Sequence, residues 1–195
     1  PESLYQLCDK EYVYQTFKDD IALQFYLGEA HATACDNDQL ERVASAMDMR
    51  LDFSDPETFT EAVKALRLEY SLRSTVYVID KIVDYVEQAG KKLMVLLSYD
   101  PATAKQFIQT QQRFDQELVD YLDADNIPHV DSLVESAREY KLFNIDIDDF
   151  LERFYIGRAG AQVFGHYSPQ GNFWFALAIR QRILDWLNPK PPAYR

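Results

Sequence analysis

The residue with the strongest claim to chemistry is His166, in the run Phe164-Gly165-His166-Tyr167-Ser168-Pro169-Gln170-Gly171-Asn172. Ser168 can cap a helix and Pro169 presets its first turn, so the helix start is fixed and the imidazole is held beside it. Gly171 in the first turn lets another stretch of backbone come close. A general base needs such a rigid mount. Arg158 lies eight residues earlier in the same Gly-containing stretch and could reach the same space. Its planar guanidinium would suit a carboxylate or phosphate on a ligand, unless it is tied to Asp148 or Asp149.

Other candidates carry less. Ser98 follows a short apolar run, where α/β sheets place catalytic groups. The glycines of a nucleophile elbow are absent, since Leu96 and Asp100 occupy those places. The run Asn144-Ile145-Asp146-Ile147-Asp148-Asp149 alternates oxygen ligands like a calcium loop. An EF-hand would need Gly where Asp149 stands and Glu where Tyr155 stands, so Asp146 is read as a helix cap. Gly157, Gly160 and Gly165 fit no phosphate-loop or dinucleotide spacing. The three histidines have no Cys or His neighbours at metal-ligand spacing, so neither a zinc site nor any other metal or cofactor is expected. His129 is read as a packed or capping histidine, and His31 carries no signal.

The elements that must hold these residues divide near position 90. Residues 1–90 read as helices: aromatics at helical spacing from Leu4 to Tyr26, and an amphipathic run from Asn37 to Met49. A helix is expected from Ser54-Asp55-Pro56-Glu57 to about Tyr70, and another from about Ser74 that stops at Gly90. Residues 91–195 read as α/β. Leu93–Leu97 is a continuous apolar run, the pattern of a parallel strand buried on both faces. Asp100-Pro101 opens a helix that is expected to run to about Leu122. Ile127–Val130 is a second strand, so the whole makes a βαβ unit. A helix follows near Asp148–Phe154, and the last runs from about Gln170 to Leu187. The expected fold class is therefore α/β, a partial parallel sheet flanked by helices behind a mostly helical N-terminal half.

Composition bounds the partners. With 195 residues, 47% hydrophobic and 14% aromatic, the chain can bury a real core and is no disordered tail. It has no apolar run long enough for a transmembrane helix. Cys8 and Cys35 are too few for a disulfide scaffold, and whether they pair is open, as is the compartment. A net charge of -12 disfavours nucleic acid. The charge is uneven. From Arg153 onward six basic residues face one acid, a net +5, which leaves -17 on residues 1–152. That segment could face an anionic ligand or dock on an acidic surface. The first residue is Pro, and Pro1-Glu2-Ser3 is no signal peptide, so a processed chain or part of a longer one is expected.

The segment His166-Tyr167-Ser168-Pro169-Gln170-Gly171-Asn172, with Ala176 and a closing amphipathic helix, resembles the last block of the SGNH (GDSL-type) hydrolases. The strand, helix, strand lead-in from Lys92 to Asp131 is also similar, so the resemblance covers roughly residues 90–190. It implies a flavodoxin-like α/β/α fold and a serine esterase or acyl hydrolase acting on a small acylated or esterified substrate. His166 would be the base. The family's acid three residues before the His is Val163 here, and Asp131 at the end of the second strand is the candidate to orient the imidazole instead. No Gly-Asp-Ser occurs, nor a Gly-x-Asn-Asp oxyanion block. Two expectations follow: a missing upstream nucleophile segment with an isolated chain that is inactive, or a non-catalytic binding module whose N-terminal aromatics form the contact face. Two strands make a poor free-standing sheet, so a partner or a self-swapped oligomer is also expected.

Overall fold

The computed structural model describes residues 6–30, 35–158 and 161–188, and within these it describes no side chain from 157 to 165. Its contacts divide the chain into two units, Pro1–Ile79 and Asp80–Arg195.

In the first unit, α1 (Lys10–Phe17) starts where Asp9 accepts the amides of Glu11 and Tyr12. The helical run expected to reach Tyr26 is broken at 18–20, and α2 (Ile21–Ala30) begins anew. Gln24 accounts for the break. It is 2% exposed, donates to the Lys18 carbonyl at 2.5 Å and accepts from the Asp36 amide at 2.7 Å, so one buried amide satisfies two loops. α3 (Asn37–Ala46) is capped by Asp36. α4 (Phe59–Gln88) is a single helix where two were expected. Ser71 and Thr75 fold their hydroxyls back onto the Arg67 and Ser71 carbonyls, which keeps these poor helix formers inside it. Ser54 is not its cap: Asp55 accepts from the Glu57 amide and the Thr58 hydroxyl instead. The core gathers Phe25, Leu40, Ala44, Phe53, Val63 and Leu66. Gly28 lies against Val63, where an added Cβ would sit 2.9 Å from a methyl.

The second unit begins within α4, which stops just before Gly90, a left-handed residue at φ +61°. β1 (Val95–Leu97) pairs in parallel with β2 (His129–Asp131), in register Val95↔His129, Leu96↔Val130, Leu97↔Asp131. The expected strand pair is therefore present, but Leu96 is 43% exposed, so this strand is not buried on both faces. The crossover is two helices rather than one. α5 (Pro101–Thr110) ends at Gln111, a left-handed residue at φ +59°, and α6 (Gln116–Ala124) follows. α7 (Ser132–Tyr140) leaves β2 directly, capped by Asp131, and α8 (Ile147–Phe154) is capped by Asp146. The Gly-containing stretch is an antiparallel hairpin, β3 (Tyr155–Arg158) and β4 (Ala161–Tyr167), which no periodic signal announced. α9 (Pro169–Leu187) closes the unit. Its core is aromatic: Phe150 makes edge contacts with Tyr140, Phe143 and Phe154 at centroid distances of 5.0–5.5 Å. The chain is thus mostly helical, with two small two-stranded sheets among the described residues.

Candidate functional site

The C-terminal ends of β1 and β2 gather polar side chains that the helices behind them turn inward. The break at Gln111 lets Arg113 and Asp115 leave the helical path and reach the sheet. The Arg113 side chain is only 6% exposed. It donates through Nε to Asp115 at 2.8 Å, through Nη2 to Tyr99 at 2.7 Å, and through Nη1 to Asp131. The Tyr99 hydroxyl in turn donates to Asp115 at 2.5 Å. The guanidinium also lies over the rings of Tyr99 and Phe107, at 5.8 and 5.9 Å.

One buried cation therefore holds two carboxylates and a phenol. Burial alone would raise the Asp115 carboxyl, but the hydrogen bonds from Arg113 and Tyr99 outweigh it and hold it below the ordinary carboxylate range. Burial and the adjacent Asp115 keep Tyr99 protonated far above the usual phenol range. Because Tyr99 follows β1 and Asp131 ends β2, the cluster staples the two strand ends to each other and to the α5–α6 turn.

The hairpin reaches the same end of the sheet. The Tyr167 hydroxyl lies 3.3 Å from Ser98 Oγ, one residue past β1. Tyr167 also packs on Tyr155 at 5.0 Å and stacks on Phe175 of α9 at 5.3 Å. Tyr155 is buried, and burial, then the neighbouring Tyr167, raise its phenol well beyond the ordinary range.

His166 precedes Tyr167 on β4, opposite Ile156, and its side chain is exposed. Its mount is a clamp. Ser168 donates from its amide to the Phe154 carbonyl at 2.8 Å and from its hydroxyl to the Arg153 carbonyl at 2.6 Å. The same hydroxyl accepts the Gly171 amide at 3.0 Å. A Cβ on Gly171 would stand 1.9 Å from the Phe154 carbonyl oxygen, so only glycine lets α9 start this close to the end of α8.

The sequence candidates thus fall into separate places. His166 is presented to solvent at the end of β4. Asp131 has both carboxylate oxygens engaged, one by Arg113 and one by the Leu133 amide at 2.9 Å. The backbone of Arg158 pairs with Ala161 in the hairpin, and its side chain lies outside the described residues. Asp148, one of its expected partners, pairs with Lys105 at 2.5 Å. His129 is partly buried, with Nδ1 3.0 Å from the Ile127 carbonyl. Among the described residues no group of three or more His, Cys, Asp or Glu could hold a metal ion, and no helix is long and apolar enough to cross a membrane.

Sequence reasoning missed Tyr99, Arg113 and Asp115. Their one visible trace is Arg113-Phe114-Asp115, a charged pair inside a stretch read as continuous helix. No family model matches the chain, and neither a curated protein nor a solved structure is found to be similar to it.

Proposed function

We propose that residues 91–195 form the C-terminal part of an SGNH-like α/β hydrolase domain, with β1 and β2 as two strands of a flavodoxin-like sheet. The observation that carries this reading is the placement of His166. It is an exposed imidazole on a clamped strand end, and the Tyr167–Ser98 contact ties that strand to the C-terminal end of a parallel strand. Ligand sites in open α/β sheets lie at that end.

The reaction is ester hydrolysis through an acyl-serine. A serine from a segment outside these 195 residues attacks the acyl carbon, and His166 takes its proton. His166 then passes that proton to the leaving alcohol. Water cleaves the acyl-serine in the same way, releasing the acid and restoring the serine. Arg158, on the same hairpin, is the proposed contact for an anionic group on the substrate. Asp131 is committed to Arg113 and Leu133, so we give it the part of an anchor for the strand ends rather than partner of the imidazole.

The test uses the longest natural chain that contains these residues, with a nitrophenyl ester and a fluorophosphonate probe. The probe should label a serine outside residues 1–195. His166→Ala should lower kcat by about a thousandfold or more, while Ser98→Ala leaves it nearly unchanged. Labelling at Ser98, or full activity in His166→Ala, would overturn the proposal. The other reading, a non-catalytic interaction module, is favoured by the unburied apolar residues of α9.

A further inference from the structure

The apolar residues of α9 span more than half of its circumference, with Gln181, Arg182 and Asp185 on the remainder, yet Gly171 is its only buried residue. An apolar arc that wide is ordinarily covered. One side is accounted for. Trp174 packs on Phe154 at 5.3 Å, Phe175 stacks on Tyr167, and Lys92 donates to the Trp186 carbonyl at 3.2 Å. The other side is not. Phe173, Leu177, Leu184 and Leu187 are 68, 52, 37 and 46% exposed. Their spacing of four, seven and three residues puts them on one face, roughly 21 Å long at 1.5 Å per residue. Single exposed apolar side chains are ordinary, but a contiguous row marks an interaction surface.

Arg180 decides what covers this row. It sits on the same face, three residues after Leu177 and four before Leu184, and it forms no ion pair or hydrogen bond with any described residue. A second copy fits poorly. Antiparallel pairing of two such helices about a twofold axis would match Leu177 with Leu184 and Phe173 with Leu187. The axis would then pass through Arg180 and set it against its own copy in an apolar interface, a like-charge contact that costs several kcal/mol. A lipid surface fits poorly too. A membrane-surface helix is rich in Lys and Arg on its polar face, whereas the polar side of α9 mixes Gln181 and Asp185 with Arg182.

We propose that this face of α9 docks an amphipathic helix of another polypeptide segment, whose apolar side meets Phe173, Leu177, Leu184 and Leu187 and whose central carboxylate pairs with Arg180. The paired charge then sets register and partner choice, while the apolar row supplies affinity. This inference does not depend on the hydrolase reading.

The experiment uses the whole chain and two synthetic amphipathic helical peptides with the same leucine stripe, interrupted at its centre by glutamate in one and lysine in the other. Fluorescence anisotropy should show the glutamate peptide binding about tenfold more tightly than the lysine peptide, and Arg180→Glu should reverse that order. Leu177→Asp should abolish binding of both peptides. That position is half exposed, and an unchanged circular dichroism spectrum shows the loss to be one of docking rather than folding. Four results overturn the proposal: neither peptide binds; both bind equally; a dimer forms in sedimentation and is lost in Leu177→Asp; or the chain co-sediments with phosphatidylcholine–phosphatidylserine vesicles through the same residues.

Discussion

The core of the first unit and the polar cluster of the second do the same job with opposite means. Around Val63 and Leu66, both fully buried, three helices meet through apolar side chains. Around Arg113 the strand ends are held by one guanidinium and two carboxylates, nearly as deeply buried, and a half-buried phenol. An apolar core accepts many arrangements of similar volume. A buried charge cluster accepts few, because each donor must find its acceptor. The first device gathers helices, and the second can fix where two short strands end.

The largest expected effect separates the two. Arg113→Ala leaves Asp115 and Asp131 buried without their cation and should cost about 3–5 kcal/mol. Hydrogen exchange should then show lost protection at Val95–Leu97 and His129–Asp131, with Ala62–Leu66 unaffected. Leu66→Ala should cost about 2–5 kcal/mol and give the opposite pattern. If both variants loosened both regions alike, the two units would not be independent in stability. Arg113→Met combined with Asp115→Asn and Asp131→Asn sharpens the contrast. It removes the charges together and should recover much of the loss.

The next effect is smaller and bears on the site directly. Gly171→Ala must move the Phe154 carbonyl or the start of α9, an overpacking cost of about 1–3 kcal/mol. The displacement should reach His166 through Ser168. The variant should therefore lose stability and shift the His166 ring resonances in NMR spectra. Unchanged His166 resonances in a destabilised Gly171→Ala would show that the clamp holds the helix but not the imidazole.

The same contrast explains what was legible in the sequence. Periodic apolar patterning found α3 and α9, and short apolar runs found the two parallel strands. Local cap chemistry found Asp146, Ser168 and the stop at Gly90. Patterning failed where long-range polar bonds override it. The break at Gln111–Asp115 serves Tyr99 and Asp131, 14 and 18 residues from Arg113, and no local signal carries such a partner. The break before α2 serves Gln24 in the same way. The join of the two expected helices into α4 went unread because Ser71 and Thr75 look like breakers until their hydroxyls are seen bonded to their own helix. The hairpin was unread because its glycines suggest irregular chain. The candidate site divides likewise: the mount of His166 was local and readable, and the anchoring of Asp131 was not.

The smallest effect is one of pH, and its sign follows from Asp115. Its folded-state carboxyl titrates below its ordinary value because the Arg113 and Tyr99 hydrogen bonds outweigh burial. Such a group binds protons more readily unfolded than folded. Its contribution is therefore complete above the ordinary carboxylate range near pH 4, and it is lost as pH falls toward the lower folded value. The first unit's core has no counterpart, since its members carry no charge to titrate. Acidification below about pH 4 should thus unfold the second unit's strand ends before the core at Val63 and Leu66, read by hydrogen exchange at both places. Asp115→Asn removes the titration while keeping the shape, so its stability should be lower at neutral pH but flatter across the acid range. An equally steep acid limb in Asp115→Asn would move the cause to other carboxylates and leave the cluster a packing device only.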